Sequence, residues 1–139
     1  MPAGVLLACD VGTVRIGVAR SDAGQVLAVP LDSVPAGDSA VSQVLALIDE
    51  YSAVEIIVGL PLKMDGTEGA SADMARQWAA QLEGTTEVPV RLVDERLTTV
   101  QAQRGLHAAG RTVKNSRSAI DSASAVVLLQ FVLESRAKR

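Results

Sequence analysis

The feature that most limits how this chain can fold is a short apolar run, Val5 to Cys9, that stops at Asp10. Gly12 and Thr13 follow at once, and a second apolar run begins at Ile16. Two short apolar runs joined by a turn that contains glycine are typical of paired β-strands. Asp10 would then end a buried strand, where a carboxylate is costly unless it is hydrogen-bonded, neutralised or bound to a cation. We interpret Asp10 as the first candidate functional residue, with an ordinary turn residue as the alternative.

The rest of the chain alternates between strand and helix patterns. A third strand, Val26 to Leu31, is expected to complete an antiparallel meander, because the first three strands are close in sequence. A fourth, Val54 to Leu60, is apolar nearly throughout, as a parallel strand covered on both faces would be, and a fifth spans Val90 to Val93. Apolar residues at helical spacing predict helices over about 39–48, 70–83, 98–109 and 118–135.

This order of elements predicts an α/β fold. We expect one mixed five-stranded sheet, antiparallel in its first three strands and parallel in its fourth and fifth, flanked by helices. Residues 1–139 are expected to form one domain, since the sequence contains no linker, repeat or low-complexity segment.

The composition of the chain indicates where the protein is located and which kinds of recognition are disfavoured. The single cysteine, Cys9, cannot form an internal disulfide and is expected to be a small core residue. Since no apolar run approaches the roughly 18 residues of a membrane span, and no charged-then-apolar leader precedes the domain, we expect a cytoplasmic protein without membrane contact. Aromatic residues make up only 2% of the chain, which disfavours recognition by base stacking on aromatic rings.

Positive charge is concentrated in one segment, although the net charge is −3 at pH 7. No acidic residue occurs from residue 96 to residue 120, whereas five basic residues do: Arg96, Arg104, Arg111, Lys114 and Arg117. The C-terminal tail adds Arg136, Lys138 and Arg139. A local basic patch on an acidic protein can follow a phosphate backbone, but a solvated surface loop would show the same pattern.

Three carboxylates could converge beyond the carboxyl ends of the parallel strands, where ligands bind in open α/β sheets. Asp10 ends the first strand, Glu95 ends the fifth, and Asp121 falls in the first turn of the last predicted helix. Because clustered carboxylates repel one another, such a group would need a cation, and oxygen ligands suit Mg²⁺ or Mn²⁺. Two such ions about 4 Å apart can promote phosphodiester hydrolysis.

Each of these residues also has a purely structural interpretation. Asp94 or Glu95 could simply pair with Arg96, and strand alternation directs only one of the two acids towards a metal. Ser118 and Asp121 have the spacing of a capping box, so Asp121 could serve only to stabilise a helix.

Several motifs, taken together, resemble the YqgF/RuvX family, in the family's order and spacing and over nearly the whole chain. They are Asp10 to Thr13, Arg15 to Ala19 with Ser21 and Asp22, Val58 to Pro61, Met64 to Thr67, Asp94 to Thr99, Lys114, and Ile120 to Ala123. The resemblance implies a ribonuclease H-like fold related to the RuvC resolvases. It also implies a metal-dependent nuclease that trims the 5′ end of pre-16S rRNA or resolves Holliday junctions. By position, it implies that Asp10, Glu95 and Asp121 are the catalytic, metal-binding residues, and so prefers Glu95 to Asp94.

One departure from the family concerns phosphate binding. The family usually has a lysine after the D-x-G-T motif, where this chain has Val14. The departure puts in doubt any phosphate contact from the first hairpin, and leaves Arg15, Lys63 and the basic patch from residue 104 to residue 117 as candidate backbone contacts. Arg96 is a further candidate nucleic-acid contact.

Two other functions fit parts of the pattern. The D-V-G-T motif also resembles the phosphate-binding hairpin of actin-like and sugar-kinase ATPases, but those proteins enclose a nucleotide between two such domains. A non-catalytic RNA-binding domain is a further alternative. Oligomeric state stays open, because a junction resolvase needs a dimer with paired sites, whereas an RNA-trimming enzyme can act as a monomer.

Overall fold

The computed structural model describes residues 3–98 and 122–137. Within them, five strands form one sheet: β1 (Leu6–Val11), β2 (Arg15–Ser21), β3 (Ala28–Pro35), β4 (Glu55–Leu60) and β5 (Val90–Asp94). Three α-helices, α1 (Ala40–Tyr51), α2 (Ala70–Glu83) and α3 (Ala123–Ala137), accompany a short 3-10 helix, Glu95–Thr98. No helix among the residues described is long and apolar enough to cross a bilayer.

The strand order is β3-β2-β1-β4-β5. β1 and β2 are antiparallel, as are β2 and β3, whereas β4 lies parallel to both β1 and β5. This confirms the predicted mixed sheet. Because β1, β4 and β5 are parallel neighbours, their carboxyl ends lie at the same edge.

Hydrophobic clusters cover both faces of the sheet. On one face, Cys9 and Val58 pack with Trp78 and Leu82 of α2 and with residues of α1. On the other, Ala8 and Ile57 pack beneath α3. Alternate residues of β1 and β4 thus enter opposite clusters, as strand geometry requires. Burial raises the pKa of the Cys9 thiol to about 12, consistent with the expected core role.

The third strand differs from its prediction. β3 begins at Ala28 and continues through Pro30 to Pro35, instead of spanning Val26 to Leu31. Among the described strands, β3 lies at the edge of the sheet and pairs with β2 alone, so a proline, which has no N–H to donate, can lie within it. The backbone N–H groups of Val26 and Leu27 instead donate to Asp22 Oδ1, each at 2.8 Å, in the preceding turn.

The last helix also begins later than predicted. Ser122 lies in a turn, and its backbone carbonyl accepts a hydrogen bond from the N–H of Val126 at 3.0 Å. Its hydroxyl is buried and bonds to the sheet rather than to the helix. The predicted helix of residues 98–109 and the polar loop of residues 110–118 lie outside the described residues, except that residue 98 ends the 3-10 helix.

Candidate functional site

Strand alternation places two of the predicted carboxylates on the face of the sheet that α3 covers. Leu6 and Ala8 of β1 belong to the cluster beneath α3, so Asp10, two residues later, lies on the same side. Val93 of β5 packs against that cluster, and Glu95, which begins the 3-10 helix after β5, has its side chain against Gly59 of β4 and Asp10. Both acids therefore lie at the carboxyl edge of the sheet, on the side of α3.

The side chains of Asp10 and Glu95 meet directly. Burial, a hydrogen bond to Asp10 and the negative charges of Asp10 and Asp94 raise the pKa of Glu95 from 4.5 to about 8. At neutral pH the Glu95 carboxyl therefore keeps its proton, and its O–H donates a hydrogen bond to the Asp10 carboxylate. The proton holds together two acids that would otherwise repel each other.

Asp94 has a different partner. Its Oδ2 lies 3.0 Å from Nη2 of Arg96, and its Oδ1 accepts a 2.9 Å hydrogen bond from the Arg96 backbone N–H. The hydrogen bond from the Arg96 side chain is the main reason that the pKa of Asp94 lies below its usual value. Of the two adjacent acids, Glu95 contacts Asp10 and Asp94 pairs with Arg96.

Asp121, the third predicted carboxylate, lies outside the described residues. Over residues 3–98 and 122–137, no group of three His, Cys, Asp or Glu side chains could hold a metal ion. The described part of the site therefore supplies two carboxylates, Asp10 and Glu95, whose oxygens are the ligand type that Mg²⁺ and Mn²⁺ prefer.

Ser122 is a buried polar residue that the sequence analysis quoted only within a motif. Its Oγ accepts a 3.0 Å hydrogen bond from the Val18 N–H and donates a 2.8 Å hydrogen bond to the Leu31 carbonyl. The pairing of β2 with β3 shifts register between Ile16 and Val18, so the hydroxyl bonds at an irregularity of the ladder. This contact ties the start of α3 to the sheet. The only sequence signal was a small polar residue before an apolar helix.

The predicted nucleic-acid contacts are divided between described and undescribed parts of the chain. Arg15 is exposed at the start of β2, and exposed Lys63 lies against Gly69, which precedes α2. Arg96 is paired with Asp94. Val14, which follows Asp10 to Thr13, is 67% exposed. Four predicted contacts lie outside the described residues: Arg104, Arg111, Lys114 and Arg117.

Arg136, the first basic residue of the C-terminal tail, is paired with an acidic residue, so its positive charge is neutralised locally. Arg136 forms a paired hydrogen-bonded ion pair with Glu55 at the start of β4, at 2.9 and 2.7 Å. This arginine links α3 to the sheet. Lys138 and Arg139 lie outside the described residues.

Comparison with known sequences gives extensive matches. The sequence model of the family described as "RuvX: Holliday junction resolvase" matches residues 4–135. A protein of Clavibacter michiganensis subsp. michiganensis is 47% identical over 137 residues, which cover 96% of this chain and 85% of the relative. One of Streptomyces coelicolor is 47% identical over 138 residues, which cover 97% and 83%. Both relatives are named "Putative pre-16S rRNA nuclease".

Comparison with solved structures shows the fold. Thermus thermophilus RuvC, solved with a Holliday junction substrate, superposes with a TM-score of 0.62 at 14% identity, covering 97% of this chain and 96% of RuvC. Fowlpox virus resolvase, solved with Holliday junction DNA, gives 0.55 at 11% identity, covering 95% and 98%. These likenesses confirm the expected ribonuclease H-like architecture. The family match over residues 4–135 and the identity to curated relatives show that this chain belongs to the RuvX family.

Proposed function

We propose that this protein is a divalent-metal-dependent nuclease that hydrolyses phosphodiester bonds, with the 5′ end of pre-16S rRNA as its primary substrate. The observation that carries the proposal is the contact between Asp10 and Glu95 at the carboxyl edge of the sheet. Two acidic side chains in contact at this edge of the sheet lower the stability of the folded protein. A role in metal binding would explain why they lie together, since ligands bind at this edge in open α/β sheets.

The described donor set fits a hard divalent cation. Asp10 and Glu95 would hold Mg²⁺ or Mn²⁺ through carboxylate oxygens, with the Glu95 proton released when the ion binds. Asp121 completes the proposed ligand set by its place in the family motif, and a two-ion site is part of the proposal. When bound, the metal supplies activation of water and stabilisation of the leaving oxygen.

Basic side chains would hold the phosphate backbone near these carboxylates. Arg15, Lys63 and Arg96 are the described candidates, and the basic segment supplies four more: Arg104, Arg111, Lys114 and Arg117. Because each phosphate contact releases condensed counterions, we expect binding to weaken steeply as salt rises. We further propose that residues 1–139 act as one nuclease domain and that the protein works in the cytoplasm.

Pre-16S rRNA is the preferred substrate because the curated relatives carry that name. Four-way DNA junctions are the second candidate, because the family description names a Holliday junction resolvase. Junction resolution needs two symmetric cuts and therefore a homodimer, whereas rRNA trimming is possible for a monomer.

The test compares cleavage of a pre-16S rRNA leader and of a four-way DNA junction, with Mg²⁺ or Mn²⁺ and with a chelator. Asp10→Asn should fold and bind nucleic acid but lose metal-dependent cleavage. Asp49→Asn, the same change at an exposed position of α1, serves as the matched control. Light scattering gives the oligomeric state alongside. Cleavage by Asp10→Asn at the wild-type rate would refute the catalytic assignment.

A further inference from the structure

The strand order separates Asp10 from Glu95 by the width of one strand. Asp10 lies on β1 and Glu95 follows β5, and β4 runs between these two strands. Neighbouring strands are about 4.8 Å apart, so the two outer strands are separated by roughly 10 Å. The Glu95 side chain must therefore cross over β4 to reach Asp10.

Gly59 occupies the crossing point. It pairs with Val93 of β5, and it follows Val58, which pairs with Cys9 of β1. Strand alternation puts residue 59 on the same face as Ile57, beneath α3, which is also the face of Asp10. Gly59 thus lies between the two acids, on their side of the sheet.

A side chain at this position would collide with Glu95. A Cβ built on Gly59 would lie 2.9 Å from Cδ and 3.0 Å from Cγ of Glu95, and closer still to Oε1. Cβ atoms in proteins essentially never approach a heavy atom to less than 3.0 Å. Even the methyl group of alanine would therefore displace the Glu95 carboxyl group.

Backbone conformation does not explain this glycine. The described glycines with positive φ are Gly4, Gly37 and Gly66, and Gly59 is not among them. Glycine inside a strand costs stability relative to a residue with a side chain. The requirement at residue 59 is therefore for space.

We propose that Gly59 is a positioning residue, whose missing side chain opens the passage over β4 through which Glu95 reaches Asp10. This inference rests on the proposed function and adds to it the reason why a glutamate that follows β5 can share a site with an aspartate from β1. It also accounts for the length of the side chain at residue 95, since this side chain must span a strand.

The first test compares Gly59→Ala with Gly84→Ala. A Cβ on Gly84, at the end of α2, would make only ordinary contacts, of 3.5 Å with the Ala80 carbonyl oxygen and 3.6 Å with that of Gln81. We expect Gly59→Ala to weaken Mn²⁺ binding, measured by calorimetry, by about tenfold or more, and to lower kcat while KM for nucleic acid stays near wild type. Gly84→Ala should behave as wild type in both assays. Mn²⁺ affinity and kcat unchanged in Gly59→Ala would overturn the inference.

A second test holds even if Gly59→Ala is poorly stable. In a Glu95→Ala background the collision partner is absent, so Gly59→Ala should change the urea midpoint by a different amount there than in the wild-type background. An equal change in both backgrounds would mean that Gly59 serves packing alone and would overturn the inference. If wild type neither binds Mn²⁺ nor cleaves nucleic acid, the proposed function fails, while the urea comparison still decides whether Gly59 makes room for Glu95.

Discussion

Replacing Glu95 by glutamine tests the site through protein stability, independently of any substrate. Glutamine has the shape of the protonated acid and can still donate a hydrogen bond to Asp10, but it never ionises. Wild-type Glu95 must either keep its proton or place a second negative charge beside Asp10 and near Asp94. In Glu95→Gln, residue 95 is neutral at every pH, so no second negative charge arises beside Asp10.

The sign and size of the effect follow from the raised pKa of Glu95. Between pH 4.5, where the carboxyl ionises in the unfolded chain, and about pH 8, the folded state holds a proton that the unfolded state has released. The free energy of unfolding therefore falls as pH rises through this window. The full shift would correspond to about 5 kcal/mol at about 1.36 kcal/mol per pKa unit. Because Glu95 is only half-buried and solvent screens its charge, we expect about 2 kcal/mol.

Urea denaturation of wild type and Glu95→Gln, in a chelating buffer from about pH 4 to about pH 9, measures this difference. The two proteins should be equally stable near pH 4, and the variant should be more stable by about 2 kcal/mol near pH 9. Adding Mg²⁺ near pH 9 should stabilise wild type more than the variant, since binding to the folded state raises its stability. Glu50→Gln, the same change on an exposed residue of α1, is the control. Parallel stability profiles for wild type and Glu95→Gln would refute the raised pKa of Glu95, which burial and the contact with Asp10 together produce.

Three further substitutions test neighbouring contacts. Asp94→Asn should keep Mn²⁺ affinity within about threefold of wild type by calorimetry, because its carboxylate faces Arg96 rather than Asp10. Ser122→Ala should lower the free energy of unfolding by about 1–3 kcal/mol in urea, because it leaves a buried N–H and a carbonyl without their partner. Glu55→Gln should lower it by about 1.5–3 kcal/mol, because it removes the negative charge and one of the two oxygens that accept hydrogen bonds from Arg136.

Matched variants separate these effects from those of substitution itself. Ser71→Ala, at an exposed position of α2, should change stability by less than about 0.5 kcal/mol. Glu50→Gln serves the same purpose for Glu55→Gln. Loss of Mn²⁺ binding in Asp94→Asn, or wild-type stability in Ser122→Ala or Glu55→Gln, would contradict the corresponding contact.

Local sequence patterns predicted most elements and the general nature of the site. The helix over residues 70–83 is confirmed at both ends, because its apolar stripe is a local property of period 3.6. The prediction for β3 was wrong at both ends, because proline tolerance depends on whether a strand lies at the edge of the sheet. Whether a strand lies at an edge depends on the assembled sheet, and a short stretch of sequence does not show it.

By itself, the sequence placed Asp10 near the end of a buried strand and an acidic pair at the end of a later one, because alternation and breaker residues act between near neighbours. Only the tertiary structure decided that Glu95 contacts Asp10 and that Asp94 pairs with Arg96. It also decided that Gly59 must leave space between the two acids. These choices depend on which strands are neighbours and in what register. Contacts between residues far apart along the chain set both, and no short stretch of sequence contains them.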